Sequence, residues 1–265
     1  MNEQLLREEL KSVRRIGRTL CCLKEIGSTN DYGKQLAFDG AADGTVILAD
    51  SQTAGRGRMD RVFQSPAEKG IYLTVVLKPT LPPKTLVCVT AMAGVAICDA
   101  VEQICGVRPG LKWPNDPVLK GKKLGGILTE LVFEPEGGQP CVILGIGLNV
   151  KGSTFTPDVA AMATSLAGEG FTVSREQVAA ALIRALDTMY EALLAGGLAP
   201  YLEAYRRDCV NLGKQVRLIS GGGEVPAEAV DIVDQFGLVV RRADGAETVV
   251  RSGEVSVRGL YGYAE

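Results

Sequence analysis

Apolar residues along the chain follow two spacings, and each spacing predicts a different kind of element. Runs of β-branched and other apolar residues predict strands at 20–26, 45–49, 71–77, 125–133 and 142–150, with a further short strand beginning at Val118. Apolar residues three and four positions apart predict helices at 2–15, 30–39, 86–104, 178–193 and 200–209. Ser28 is the expected N-cap of the second helix, and a capping box at Ser174 and Gln177 precedes the fourth.

The order of these elements predicts the domain organisation. Strands and helices alternate up to about residue 212, which indicates an α/β (α+β) fold with a mixed sheet flanked by helices. Beyond this point short β-rich runs are separated by glycine-containing turns at hairpin-like intervals, which predicts a small β-barrel or sandwich. We therefore expect an N-terminal helical segment at 1–19, a main domain at 20–212 and a C-terminal β domain at 213–265.

Composition limits the possible classes of function. With 29 basic and 31 acidic residues among 265, the net charge of -2 argues against a surface that coats nucleic acid. The uncharged run from Thr85 to Cys98 is too short for a membrane span and is spaced like a buried helix. The first residues lack a signal core, and seven cysteines without a Cys-x-x-Cys pair suit reduced thiols, so we expect a cytoplasmic protein.

The sequence contains no histidine. This excludes Ser-His-Asp and Cys-His nucleophile systems and every zinc site that uses histidine. Chemistry must then depend on arginine, lysine, carboxylates, amides or a bound metal ion.

Three arginines occur within the segment Gly55–Arg61, which we call the arginine loop. Guanidinium groups match carboxylate and phosphate oxygens, and the glycines Gly55 and Gly57 allow the backbone to bend around a ligand. A solvated basic turn is the simpler interpretation of such a cluster taken alone. Polar and glycine-containing segments at 112–116, 123–128 and 145–150 favour an anion-binding site instead.

Common nucleotide motifs do not match. No segment has the Gly-x-x-x-x-Gly-Lys pattern of a P-loop, and Val150 stands where Gly145-x-Gly147 would need a third glycine for the dinucleotide fingerprint. The segments 28–30, 52–58, 112–116, 123–130 and 145–149, taken in order, instead resemble the biotin protein ligase family.

The resemblance extends from Ser28 to Arg258 and implies a class II synthetase-like catalytic domain with an SH3-like C-terminal β-barrel. Many bacterial relatives carry a helix-turn-helix domain before this unit, and the segment 1–19 resembles only the linker that follows it. The expected protein is therefore the catalytic form, without nucleic acid or membrane as a partner, and relatives suggest a homodimer. The implied reaction activates biotin with ATP and Mg²⁺ to biotinyl-5'-AMP and transfers biotin to a lysine of a biotin carboxyl carrier protein domain.

The resemblance also implies roles for individual residues. The residues expected around biotin are Ser28, Thr29, Asn30, Gln52, Arg56, Gly57, Arg58 and Lys123, of which Lys123, Arg58 and Arg56 are the expected catalytic groups. Those expected on the ATP or adenylate side are Gly55, Arg61, Asn115, Asp116 and Asn149. No metal site made of protein ligands alone is expected, although Asp116 could serve Mg²⁺ bound to ATP.

Several alternatives remain open from the sequence. Ser28 or Thr29 could simply cap a helix, and Asn149 could satisfy backbone groups at the end of a strand. Met59, Asp60 and Phe63 depart from the usual loop residues and could alter loop closure. A lipoate or octanoate ligase and a biotin-sensing transcriptional regulator are the rival functions, and the missing DNA-reading helix disfavours the regulator.

Overall fold

A computed structural model describes residues 1–59, 61–133, 140–152, 155, 157–220, 223–251 and 256–259. Asp60, the predicted connecting turn at 134–138 and residues 253–255 of the final motif lie outside the described residues. The helices are α1 Glu3–Glu9, α2 Thr29–Phe38, α3 Pro83–Leu86, α4 Val89–Cys105, α5 Pro157–Ala160, α6 Arg175–Leu194 and α7 Ala199–Asp208. The strands are β1 Leu20–Ile26, β2 Thr45–Gln52, β3 Gly70–Leu77, β4 Gly110–Lys112, β5 Asp116–Leu119, β6 Lys122–Lys123, β7 Gly125–Val132, β8 Cys141–Asn149, β9 Gln215–Ser220, β10 Gly223–Val233, β11 Gly237–Arg241, β12 Glu247–Val250 and β13 Ser256–Gly259.

The first sheet has five strands in the order β1-β2-β3-β8-β7. β1 and β2 run parallel, and the other neighbouring pairs run antiparallel. The predicted mixed sheet is therefore confirmed, with α2 packed on β3 and β8, and with α4 and α6 packed together. β3 is buried along its whole length, which explains its nearly continuous apolar sequence.

The N-terminal helix is shorter than predicted. We expected a helix over 2–15, but α1 ends at Glu9. The backbone N–H groups of Arg14, Arg15 and Ile16 donate to the Asp187 carboxylate at 2.7, 2.9 and 2.9 Å, so this segment is held by α6 instead of continuing the helix. Hydrophobic periodicity could not show this competing tertiary interaction.

The most apolar helical stretch belongs to the core. The segment Pro83–Cys105 is long enough to cross a membrane and its most apolar window has a mean hydropathy of 1.7, yet 72% of that window is buried inside the protein. Gly94 and the alanines of α4 permit this close packing, since a Cβ on Gly94 would lie 3.2 Å from the Leu111 side chain. The expectation of a buried helix over this run is confirmed.

The C-terminal sheet has five antiparallel strands in the order β12-β11-β10-β9-β13, which confirms the predicted C-terminal β domain. Its closure into an SH3-like barrel stays a prediction. A separate three-stranded sheet, β4-β5-β6, packs on α4 and β7, while α7 packs on β10 of the C-terminal sheet. The Trp113 backbone N–H donates to Asn211 Oδ1 at 2.7 Å, and the Trp113 indole N–H donates to the Phe236 carbonyl at 2.9 Å. These contacts fix the C-terminal sheet beside the turn at 113–115.

Candidate active site

The motifs that lie far apart in the sequence surround one cavity of about 680 Å³. The cavity lies where the first sheet, the β4-β5-β6 sheet and the C-terminal sheet meet. The predicted site residues that line it are Ser28, Thr29, Asn30, Gln52, Arg56, Gly57, Arg58, Arg61, Asn115, Asp116, Lys123 and Asn149. Gly55 is buried behind the lining, where a Cβ would collide with the Phe63 carbonyl oxygen, so its observed role is to let the arginine loop fold closely.

One wall of the cavity is uncharged and polar. The Ser28 hydroxyl accepts from the Asp31 N–H at 3.4 Å, so the simpler capping role is present alongside its place in the cavity. Both the backbone N–H and the hydroxyl of Thr29 donate to Gln52 Oε1, at 2.8 and 3.0 Å. The Gln52 amide N–H donates in turn to Ser65 Oγ at 2.8 Å. These side chains hold each other in place before any ligand enters.

Thr74 on β3 joins this wall together, although the sequence did not indicate it as a site residue. Its hydroxyl lies 2.9 Å from Thr29 Oγ1 and 2.7 Å from Asn30 Oδ1, and the residue is 0% exposed. Asn30 Oδ1 can only accept, so the single Thr74 hydroxyl proton is donated to Asn30, and Thr74 Oγ1 can only accept from the Thr29 hydroxyl, which also faces Gln52 Oε1. The available signal was a single threonine within the otherwise apolar strand Ile71–Leu77.

The Asn30 side chain is fixed on both of its ends. Its amide N–H groups donate to the Leu128 carbonyl at 3.2 Å and to Glu130 Oε2 at 2.9 Å. A Cβ on Gly145 would overlap the Asn30 amide, and one on Gly147 would overlap the Phe63 ring. The Gly145-x-Gly147 pattern therefore leaves room for these two side chains and is not a phosphate fingerprint. Phe63, one of the departures from the usual loop residues, makes an edge-on contact with Tyr72 at 6.5 Å between ring centroids.

The arginine loop folds back on itself as a narrow hairpin. The Gly57 N–H donates to the Arg61 carbonyl at 2.7 Å, and Arg56 forms an antiparallel bridge with Val62. Met59, a predicted departure from the family pattern, has a left-handed φ of 55° and is 62% exposed, so it is not part of the core. Its uncharged side chain does not replace a cationic group.

Arg56 is anchored by carboxylates beside the cavity. Its guanidinium lies 3.0 Å from Glu130 and 2.8 Å from Asp31, and Lys34 Nζ lies 2.7 Å from the same Glu130 carboxylate. Burial acts to raise the pKa of Glu130, but hydrogen bonds from Lys34 and Asn30 and the charges of Lys34 and Arg56 outweigh it and lower that pKa. The anionic carboxylate thus holds the loop, α2 and β7 together.

Arg58 is the most enclosed of the three loop arginines. Burial lowers the pKa of its guanidinium, the nearby Asp116 opposes this effect, and the positive charge of Arg61 adds to it. An Arg58 N–H donates to Asn115 Oδ1 at 3.2 Å, and the Asn115 amide donates to the Ile127 carbonyl at 2.9 Å. A half-buried guanidinium whose hydrogen bond goes to a neutral amide can still bind an anion.

Lys123 and Asp116 lie on neighbouring strands, with Lys123 Nζ 2.7 Å from Asp116 Oδ1. A Cβ on Gly126 would approach both side chains at 3.3 Å, so this glycine leaves space beside the ion pair. Asn149 uses its amide to donate to the Thr164 carbonyl at 3.0 Å, as the alternative interpretation of a strand-end role expects. Its side chain also reaches the cavity lining.

Cations outnumber carboxylates around the cavity. Two basic residues that the predicted site did not include, Lys112 and Arg217, also line it, while Asp116 is the one carboxylate in the described lining. Across the described ranges, no group of three or more Cys, Asp or Glu side chains could hold a metal ion. The cavity can therefore take an anionic ligand with an uncharged polar end.

The chain is similar to two known protein families and to individual ligases. The family described as "Biotin/lipoate A/B protein ligase family" matches residues 22–149, and the "Biotin protein ligase C terminal domain" matches residues 212–258. The biotin--[acetyl-CoA-carboxylase] ligase of Mycobacterium tuberculosis is 36% identical, over 96% of this chain and 95% of that protein. The bifunctional ligase/repressor BirA of Bacillus spizizenii is 32% identical, over 88% of this chain and 73% of its own length.

A solved structure agrees with the fold as a whole. The biotin protein ligase from Aquifex aeolicus in complex with biotin and ATP superposes with a TM-score of 0.79 at 27% sequence identity. The superposition covers 91% of this chain and 99% of that one.

Proposed function

The chain belongs to the biotin protein ligases of the biotin/lipoate A/B protein ligase family, and we propose how its cavity carries out their reaction. It is an ATP-dependent biotin ligase. The observation that carries the proposal is the pairing of an uncharged polar wall with a cationic one in a single cavity. Biotin has the matching form, because a neutral ureido head and a carboxylate tail need different partners.

The polar wall would bind the ureido head. Ser28, Thr29 and Gln52 present hydroxyl and amide groups, which match a ligand that both donates and accepts hydrogen bonds. Asn30 would support this wall without donating to the ligand, because its amide protons already donate to Leu128 and Glu130. Arg56, Gly57 and Arg58 would then enclose the carboxylate end.

In the first step a carboxylate oxygen of biotin attacks the α-phosphorus of ATP, and the bond to the β-phosphate bridging oxygen breaks with release of pyrophosphate. Two anions must approach each other, so the chain has to supply positive charge and alignment. We assign Lys123 to the carboxylate and α-phosphate, with Arg58 and Arg56 stabilising the charge that develops. In the second step the carrier lysine amine attacks the acyl carbon, AMP leaves, and the amine loses a proton.

The nucleotide would lie on the side of Asn115, Asp116 and Asn149, with Arg61 near its phosphates and Gly55 shaping the loop behind them. Magnesium ions commonly use one or two carboxylates together with phosphate oxygens of the substrate. Asp116 is the single carboxylate of the described lining, so the residues fit a Mg²⁺ ion held mainly through ATP, which the ion would help to neutralise.

The partner that we propose is a biotin carboxyl carrier protein domain of a biotin-dependent carboxylase, in agreement with the names of the relatives. We also propose a homodimer through the edge strand β7, where Leu131 is 37% exposed and Phe133, the residue that follows the strand, is 60% exposed. All seven cysteines are free thiols, which supports a reducing, cytoplasmic environment.

A direct test incubates the full chain with ATP and Mg²⁺ and with either biotin or lipoate, then identifies the adenylate by mass spectrometry. We expect biotinyl-5'-AMP and pyrophosphate with biotin and neither product with lipoate. Lipoyl-AMP formation without biotinyl-AMP would replace the proposal by the lipoate alternative. A biotin-dependent gel shift on a biotin operon promoter, without ligation, would favour the regulator.

A further inference from the structure

We infer that Arg217, which belongs to the C-terminal sheet, binds the β- and γ-phosphates of the nucleotide in the cavity. The inference rests on the proposed function and adds a residue outside the main domain to the binding of ATP. Arg217 lies on β9 and lines the same cavity as the arginine loop and Lys123. None of the five motifs includes it.

The position of Arg217 is fixed by contacts between the sheets. Trp113, which also lines the cavity, is bonded through its backbone to Asn211 and through its indole to Phe236. In addition, the Arg206 guanidinium Nε–H donates to the Ile232 carbonyl at 2.6 Å. The Trp113 bonds join the turn after β4 to the segment before β9 and to the connection between β10 and β11, and the Arg206 bond joins α7 to β10, so the sheet that carries Arg217 is held against the rest of the protein.

The hydrogen bonds of Arg217 are incomplete. One terminal N–H donates to Glu224 at 3.1 Å, in an ion pair whose side chains are 38% and 48% exposed. Its Nε is buried and, within the part of the chain that the structure describes, has no hydrogen-bond acceptor. The protein therefore does not satisfy this guanidinium completely, and the part of the side chain that stays exposed suits a ligand rich in acceptor oxygens.

Arg108 shows that this situation is unusual. Its NH2 is the other buried side-chain nitrogen without a hydrogen bond among the described residues, but it lies 2.7 Å from an Asp208 carboxylate oxygen. Asp99 and Glu102 also contact the same guanidinium. Carboxylates of the protein therefore compensate the charge of Arg108. Arg108 does not line the cavity, so it would not contact a ligand bound there.

The charges of the cavity indicate which ligand Arg217 meets. Arg56 is paired with Glu130 and Asp31, Lys123 with Asp116 and Arg217 with Glu224, so carboxylates partly neutralise each of these cations. Arg56 and Lys123 differ from Arg217 in the part of the ligand that they are assigned to bind. They are the groups assigned to the carboxylate and the α-phosphate. The remaining negative charge of ATP lies on its two outer phosphates, and a guanidinium fork matches such oxygens well.

The test measures adenylate formation by the full chain carrying Arg217→Gln. We expect the KM for ATP to rise at least tenfold and the inhibition constant of pyrophosphate to rise with it, with little change in the KM for biotin. Inhibition by AMP, which lacks the outer phosphates, is expected to stay at the wild-type value. Arg217→Lys should restore part of the ATP affinity because it keeps the positive charge.

Arg241→Gln is the matched control. Arg241 lies on β11 of the same sheet, is 41% exposed and pairs with Glu228 and Glu247, but it does not line the cavity. If both glutamine variants have the same KM for ATP, Arg217 has no special role and the inference is wrong. It is also wrong if Arg217→Gln raises the KM for the carrier protein while adenylate formation is unchanged, since the residue would then contact the protein substrate. Absence of biotinyl-AMP with the wild-type chain would instead contradict the proposed function itself.

Discussion

Replacing Thr74 by valine tests whether the buried hydroxyl positions the polar wall. The substitution preserves the shape of the side chain and removes only its hydrogen bonds, which join Thr29 and Asn30 at 2.9 and 2.7 Å. Thr29 can still donate to Gln52 Oε1, 3.0 Å away. Asn30 Oδ1, on a residue that is only 4% exposed, would lose the donor that faces it.

The expected loss of stability follows from that one acceptor. A buried polar atom left without a partner costs about 1–3 kcal/mol, which corresponds to a fall in Tm of about 2–4 °C for each kcal/mol in a protein of this size. Rotation of the Asn30 amide would also disturb its bonds to Leu128 and Glu130 and displace α2 at its N-terminus. A misalignment worth about 1.4 kcal/mol of binding would raise the KM for biotin about tenfold.

The assay combines thermal unfolding with initial rates of adenylate formation at varied biotin and at varied ATP. Thr74→Ser should restore the KM for biotin because it returns the hydroxyl, whereas its Tm should stay below that of the wild type because it lacks one buried methyl group. Thr90→Val is the control, since it breaks a hydroxyl bond of 2.8 Å to Thr129 that lies away from the cavity lining. A Thr74→Val protein with wild-type Tm and wild-type KM for biotin would refute the positioning role.

Three further predictions concern other parts of the site. Gly145→Ala places a Cβ against the buried Asn30 amide, so we expect the free energy of unfolding to fall by about 1–3 kcal/mol through overpacking and the KM for biotin to rise. Gly152→Ala, whose Cβ would meet open space, should leave both quantities unchanged. Because the pKa of Glu130 is lowered from 4.5, the contribution of this carboxylate to stability is complete above pH 4.5 and disappears as the pH falls through the lowered value. The difference in Tm between the wild type and Glu130→Gln should therefore shrink in acid, and a difference that grows in acid would contradict the assignment. Lys123→Ala should slow single-turnover adenylate formation about 100-fold or more, whereas replacing the exposed neighbour Lys122 by alanine should leave the rate unchanged. Equal rates for the two variants would exclude the proposed catalytic role of Lys123.

Local sequence signals were sufficient to predict the bounds of some elements but not of others. β1 begins and ends where it was predicted, and the capping box at Ser174 and Gln177 starts α6, because these signals are local and strong. The strands β4 and β6 have three and two residues, too few to show an alternation, and were not predicted. α1 was predicted too long because the Asp187 carboxylate, remote in the sequence, binds the backbone that would have extended it.

Residue types and their order along the chain were enough to determine the fold class, the C-terminal β domain and the family, and to predict an anion-binding site without histidine. Only the tertiary structure decided which of these side chains meet. Thr74 and Arg217 belong to no motif: a central strand places Thr74 behind the polar wall, and a second sheet places Arg217 in the cavity lining. Hydrogen-bond partners such as Glu130 for Arg56 depend on distances across the fold, which spacing along a single chain does not encode.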